Sequence, residues 1–100
     1  MYHLILAHKK NSSNSKIAVI NETGYDEEMV KLSNISIRNL WKVCEPEYIV
    51  DNIINVSNEE LLNILHNNET FDDNSMIKFK PVKSFYGYIN NKFKEQINVK

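Results

Sequence analysis

The sequence predicts an α+β domain in which an N-terminal β-hairpin and a later strand share a small antiparallel sheet, packed on a core of three to four short helices. Three observations carry this. Residues 2–8 and 16–21 are rich in strand-forming side chains and flank a polar run, the pattern of a hairpin. The stretch from Ser36 to Leu65 holds three apolar segments in succession at helical spacing. Met76 to Lys80 alternates, with Ile77 and Phe79 on one face and Lys78 and Lys80 on the other, the period of a half-buried strand. One hundred residues is the size of a single domain, spanning 1–100, and is enough to bury a core of its own.

The elements follow in order. Lys9 to Ser15, rich in Asn and Ser, reads as a longer, mobile hairpin loop, because it lacks the Asn-Gly signature of a tight turn. Thr23-Gly24 ends the second strand. Residues 25–34 are ambiguous: Asp26 suits the cap of a short helix with Glu27 and Glu28 in its first turn, while Met29 to Leu32 also fits a strand. The helical pattern is favoured. Ile37, Leu40, Trp41 and Cys44 then fall at i, i+3, i+4 and i+7, which places all four on one buried helix face.

Pro46 separates this helix from the next, since it disfavours helical geometry at Glu45 and suits the first position of a new helix. Ile49, Val50, Ile53 and Ile54 repeat the spacing and predict that second helix. Ser57 starts a third. Its hydroxyl can accept from the Glu60 amide while the Glu60 side chain reaches back to the Ser57 amide, a capping box ahead of the stripe from Leu61 to Leu65. Asn67 to Ser75 reads as a polar linker. After the strand at 76–80, Pro81 is a stop, and Phe85, Ile89, Phe93 and Ile97 recur every fourth residue on a closing helix.

Composition excludes several classes. No apolar run approaches the roughly 20 residues of a membrane span. The apolar start at Tyr2 to Ala7 has no basic region before it, unlike a secretion signal, so the expected location is cytoplasmic. The single Cys44 agrees, since one thiol forms no internal disulfide. Asn occurs 15 times, Ile 12 and Lys 11, against one Arg and two Ala, a bias towards AT-rich codons and a low-GC genome. That bias also accounts for the five Asn-x-Ser/Thr triplets.

Catalytic and metal motifs are missing. His3 and His8 differ by an odd number of residues and so point to opposite faces of one strand. His66 suits a helix end. No zinc-type spacing exists, and Glu69, Asp72, Asp73 and Asn74 lack the Gly and terminal Glu of a calcium loop. Cys44 is assigned to packing, and the two glycines form no phosphate loop. The expectation is a protein without enzymatic activity, metal or cofactor.

Charge is the informative feature. Residues 1–21 carry +3, residues 22–75 carry −9 and residues 76–100 carry +5, which gives the overall −1. Two expectations follow. The leading one is a small protein-interaction module, an inhibitor or regulator from a phage or mobile element that antagonises a host-defence or other nucleic-acid-handling protein. Its acidic centre, Asp26, Glu27, Glu28, Glu45, Glu47, Glu59 and Glu60, would bind a larger, basic host protein. The alternative is nucleic-acid binding by the C-terminal segment, where Lys78, Lys80, Lys83, Lys92 and Lys94 interleave with aromatics such as Tyr86.

Overall fold

A computed structural model describes residues 2–22, 30–68, 71–73 and 76–97. The elements are β1 (Tyr2–Lys9), β2 (Ser12–Glu22), α1 (Val30–Cys44), β3 (Tyr48–Val56), α2 (Asn58–Asn67), β4 (Phe71–Asp73), β5 (Met76–Phe79), α3 (Lys83–Lys92) and α4 (Lys94–Ile97). They form the predicted α+β fold. The five strands make one antiparallel sheet in the order β3-β1-β2-β5-β4, so the hairpin and the 76–79 strand do share it.

Both faces of the sheet are covered, which explains why β1 reads as an unbroken apolar run. On one face Leu4, Leu6, Ala18, Ile20, Ile54 and Val56 pack against Leu61 and Ile64 of α2 and against Phe85 and Ile89 of α3. Phe79 of β5 is buried among them, edge-on to Phe85 with ring centroids 5.1 Å apart. Phe93 and Ile97 extend the same stripe at half burial, as their spacing predicts. On the other face Ile5, Ala7, Val19 and Ile53 meet Trp41 of α1, with Ile37, Tyr48 and Val50 around them.

The largest correction is at residues 49–54, which form strand β3 and no helix. The register explains the false helical spacing. Leu6 pairs with Asn52 but Ala7 with Val50, so Asp51 is an extra, bulged residue. A bulge lets residues an odd number apart share a face, and Val50 and Ile53 accordingly both pack towards α1. Ile54 packs on the opposite face. A β-branched strand, buried on both sides and bulged once, reproduces the i, i+3, i+4 signature. Pro46 lies in the turn between α1 and β3, closed by Tyr48 N–H donating to the Glu45 carbonyl at 3.1 Å.

Other expectations change in smaller ways. The hairpin has a short turn at residues 10–11 in place of a long loop, with Lys10 N–H donating to the Glu47 carbonyl at 2.8 Å. The surplus residues are taken up inside β2, where pairing jumps from His8–Lys16 to Lys9–Ser12. Residues 30–34 are helical, which decides the ambiguity there for the helix, while Asp26 and its proposed cap lie outside the described residues. Only half of the α1 stripe is buried: Trp41 is 8% exposed, but Leu40 is 58% exposed and Cys44 is exposed. The 67–75 linker contains β4. The closing helix breaks at Phe93, where α4 begins a new turn.

The outer edge of β3 is covered by side chains. Arg38 Nη1 donates to the Val50 carbonyl at 2.8 Å. The Gln96 amide serves both main-chain groups of Asn55, accepting from its N–H at 2.8 Å and donating to its carbonyl at 3.1 Å. These contacts occupy main-chain groups at Val50 and Asn55 that would otherwise be open to another strand.

Candidate anion-binding cleft

β5 pairs with β2 over only three residues, Ala18 to Ile20. Pro81 is the physical reason, since it has no N–H for a ladder and restricts Lys80 before it. The chain therefore leaves the sheet through residues 80–82 and enters α3. A recess of about 560 Å³ opens where β5 stops, between the hairpin end and the start of α3. Its lining includes Lys9 and Lys16 from the hairpin, Lys80 and Lys83 from the β5–α3 connection, and the rings of Tyr48 and Tyr86. All four lysines are exposed. Four ammonium groups around one concavity attract anions more strongly than the same charges dispersed. The N-cap of α3 is Val82, which makes no side-chain cap bond, so the positive end of this helix adds to the field.

Tyr86 lines the recess beside Lys16. The Lys16 Nζ lies 4.8 Å from its ring centroid, a cation–π contact. Burial pushes the Tyr86 phenol above its ordinary 10.0, and the Asp51 carboxylate adds to the shift, so the ring stays neutral at physiological pH. The bulge that aims Asp51 also explains its partner. His8 Nδ1 lies 2.8 and 2.9 Å from the two Asp51 oxygens. A carboxylate only accepts, so the proton of this bond sits on Nδ1.

The structure sorts the sequence-derived candidates by position. Lys80, Lys83 and Tyr86 meet in the recess. Lys78 borders an adjoining groove of about 470 Å³, which shares Ile17, Tyr48 and Lys80 with the recess and also takes in Ile37, Trp41 and Glu45. Lys92 lies at the far end of α3, 3.2 Å from Glu60, and Lys94 is exposed on α4.

The acidic candidates fall in separate places. Glu45 and Glu47 precede β3, whereas Glu59 and Glu60 follow it in the first turn of α2. A strand of this length separates the two pairs by roughly 26 Å. Glu60 is also engaged. Ser57 Oγ accepts from its amide at 3.3 Å as expected, but its carboxylate accepts from Tyr88 Oη at 2.7 Å and faces Lys92, in place of the other half of the capping box. The Tyr88 bond, with Lys92 second among the favourable partners, holds the Glu60 carboxyl below its ordinary 4.5. Asp26, Glu27 and Glu28 lie outside the described residues.

Lys9, Lys16 and Tyr48 were not legible as site residues. The only signal was the acid-free charge of +3 over residues 1–21, which carries no address.

The fold and the recess define a small α+β domain with a basic cleft at one end of its sheet. No protein-family model, curated protein or solved structure matches the chain. Among the described residues, no group of three His, Cys, Asp or Glu side chains could hold a metal ion. No described helix is long and apolar enough to cross a membrane.

Proposed function

We propose that this protein is a small, non-catalytic nucleic-acid-binding module whose binding site is the recess around Tyr86. The observation that carries the proposal is the convergence of Lys9, Lys16, Lys80 and Lys83 on one concavity that also presents a tyrosine ring. Lysines neutralise backbone phosphates and release counterions, and aromatic rings stack on bases. The overall charge of −1 does not oppose this: among the described residues Glu60 is engaged by Tyr88 and Lys92, and Asp51, the carboxylate that acts on Tyr86, is engaged by His8. Of the residues expected to form an acidic face for a basic host protein, Glu45 and Glu47 precede β3 and Glu59 and Glu60 follow it, which supports the recess as the better reading.

The test is a fluorescence-anisotropy titration with a labelled single strand of about 12 nucleotides, within the ~4–16 that such grooves span. Four phosphate contacts give a slope of about −2.8 in log K against log salt, from about −0.7 per contact on a single strand. The double variant Lys16→Ala/Lys83→Ala halves that slope, to about −1.4. Lys94→Ala, remote from the recess, leaves it unchanged. Absence of binding at low salt refutes the proposal, as does an equal loss from Lys94→Ala.

A further inference from the structure

We infer that the recess reads unpaired bases: its occupant is a single strand whose base edges pair with the outward main-chain N–H and C=O of Lys16 while the surrounding lysines hold its phosphates. This rests on the nucleic-acid reading above and adds the class of nucleic acid and the groups that recognise it.

The main chain is the first ground. Every strand residue carries an N–H donor and a C=O acceptor that need partners. β1 occupies one side of β2, and β5 occupies the other only at Ala18 to Ile20. Ser15, Lys16 and Ile17 line the recess. Successive residues of an antiparallel strand direct their N–H and C=O to opposite sides, and the outward groups of Asn55, bonded to Gln96, fix the phase: Ile17 bonds Ala7 of β1, and Lys16 faces outward with no described strand beside it. One N–H donor and one C=O acceptor side by side on Lys16 match the edge of a nucleobase, which presents the same two kinds of group. In a duplex the Watson–Crick edges are already paired and the remaining base edges lie inside the grooves, so a recessed donor and acceptor select a single strand.

Shape points the same way. A volume of about 560 Å³ falls within the ~300–1,000 Å³ typical of sites for small molecules, enough for a nucleotide. Duplex DNA is read by a helix or ribbon that projects into its groove. The hairpin end does not project alone, since Lys9 pairs with Tyr48 and Lys10 N–H is bonded to the Glu47 carbonyl. Tyr86 completes the site. When the Lys16 ammonium moves from the ring to a phosphate, it frees an aromatic face for a base.

An added peptide strand fits less well. The register jump between His8–Lys16 and Lys9–Ser12 makes residues 13–15 a bulge, and lysines flank it. Bulges and edge lysines are devices that block strand addition.

The experiment uses the wild-type chain and four probes: the single strand of about 12 nucleotides, its blunt duplex, a strand of equal length made of abasic sites, and an oligoglutamate peptide. Binding to the single strand at least about tenfold tighter than to the duplex and the abasic strand is expected, about 1.4 kcal/mol. An abasic strand or duplex that binds as tightly overturns the inference and leaves the nucleic-acid reading standing, since the phosphates alone would then suffice. Failure to bind any of the three nucleic-acid probes overturns both. Displacement of the single strand by oligoglutamate at equal affinity also overturns the inference, in favour of an acidic protein segment.

Discussion

Changing Tyr88 to Phe removes one hydroxyl from the contact between α2 and α3 and leaves the ring in place. That hydroxyl donates to Glu60 at 2.7 Å, and Lys92 stands 3.2 Å from the other carboxylate oxygen. A hydrogen bond to a charged group contributes about 1.5–3 kcal/mol when shielded. Tyr88 is 40% exposed, so solvent screens the pair and about 1 kcal/mol is the expected loss. The pH dependence identifies the source. Glu60 is held below 4.5 in the folded state, so its contribution is present above pH 4.5 and is lost as pH falls through the folded value. The Glu60 bond raises the Tyr88 phenol above 10.0, so that contribution is present below pH 10.0 and is lost as pH rises through the folded value. The stability difference between wild type and Tyr88→Phe is therefore a plateau bounded by two titrations. Urea unfolding followed by circular dichroism, repeated across pH, measures it. The same difference in strong acid as at neutrality refutes the assignment, and so does no difference at neutrality.

Two further outcomes follow from packing and burial. Gly87 lies inside α3 and a Cβ there meets nothing within 4 Å, so Gly87→Ala stabilises by about 1 kcal/mol, or about 4–8 °C in melting temperature. A lower melting temperature would show that α3 needs the glycine. His3 is fully buried, and burial lowers its pKa below 6.5 against an opposing hydrogen bond to Asn55. Its neutral form therefore stabilises the fold above pH 6.5, and that contribution is lost as pH falls through the folded value. His3→Gln flattens the stability profile just below pH 6.5, and an unchanged profile contradicts the assignment.

Local patterns made much of the fold legible. The hairpin strands, the Ser57 cap, the 76–79 strand and the stripe from Phe85 to Ile97 each depend on neighbours within a few residues. Periodicity reports those neighbours directly. β3 was misread because a single bulge at Asp51 gives a strand the spacing of a helix, and bulges depend on the partner strand. Leu40 and Cys44 satisfied the helical period, yet α1 covers only part of its face of the sheet, so the period named a face without saying what lies opposite.

The cleft was half visible. Sequence alone supplied lysines at both ends of the chain and an aromatic at 86. It could not show that Lys9 and Lys16 meet Lys80 and Lys83, because that depends on the strand order β3-β1-β2-β5-β4 and on β5 stopping at Pro81. Side-chain order along the chain determines what each element can bury. Long-range strand pairing determines which elements become neighbours, and only that brings charges from opposite ends of the sequence around one ring.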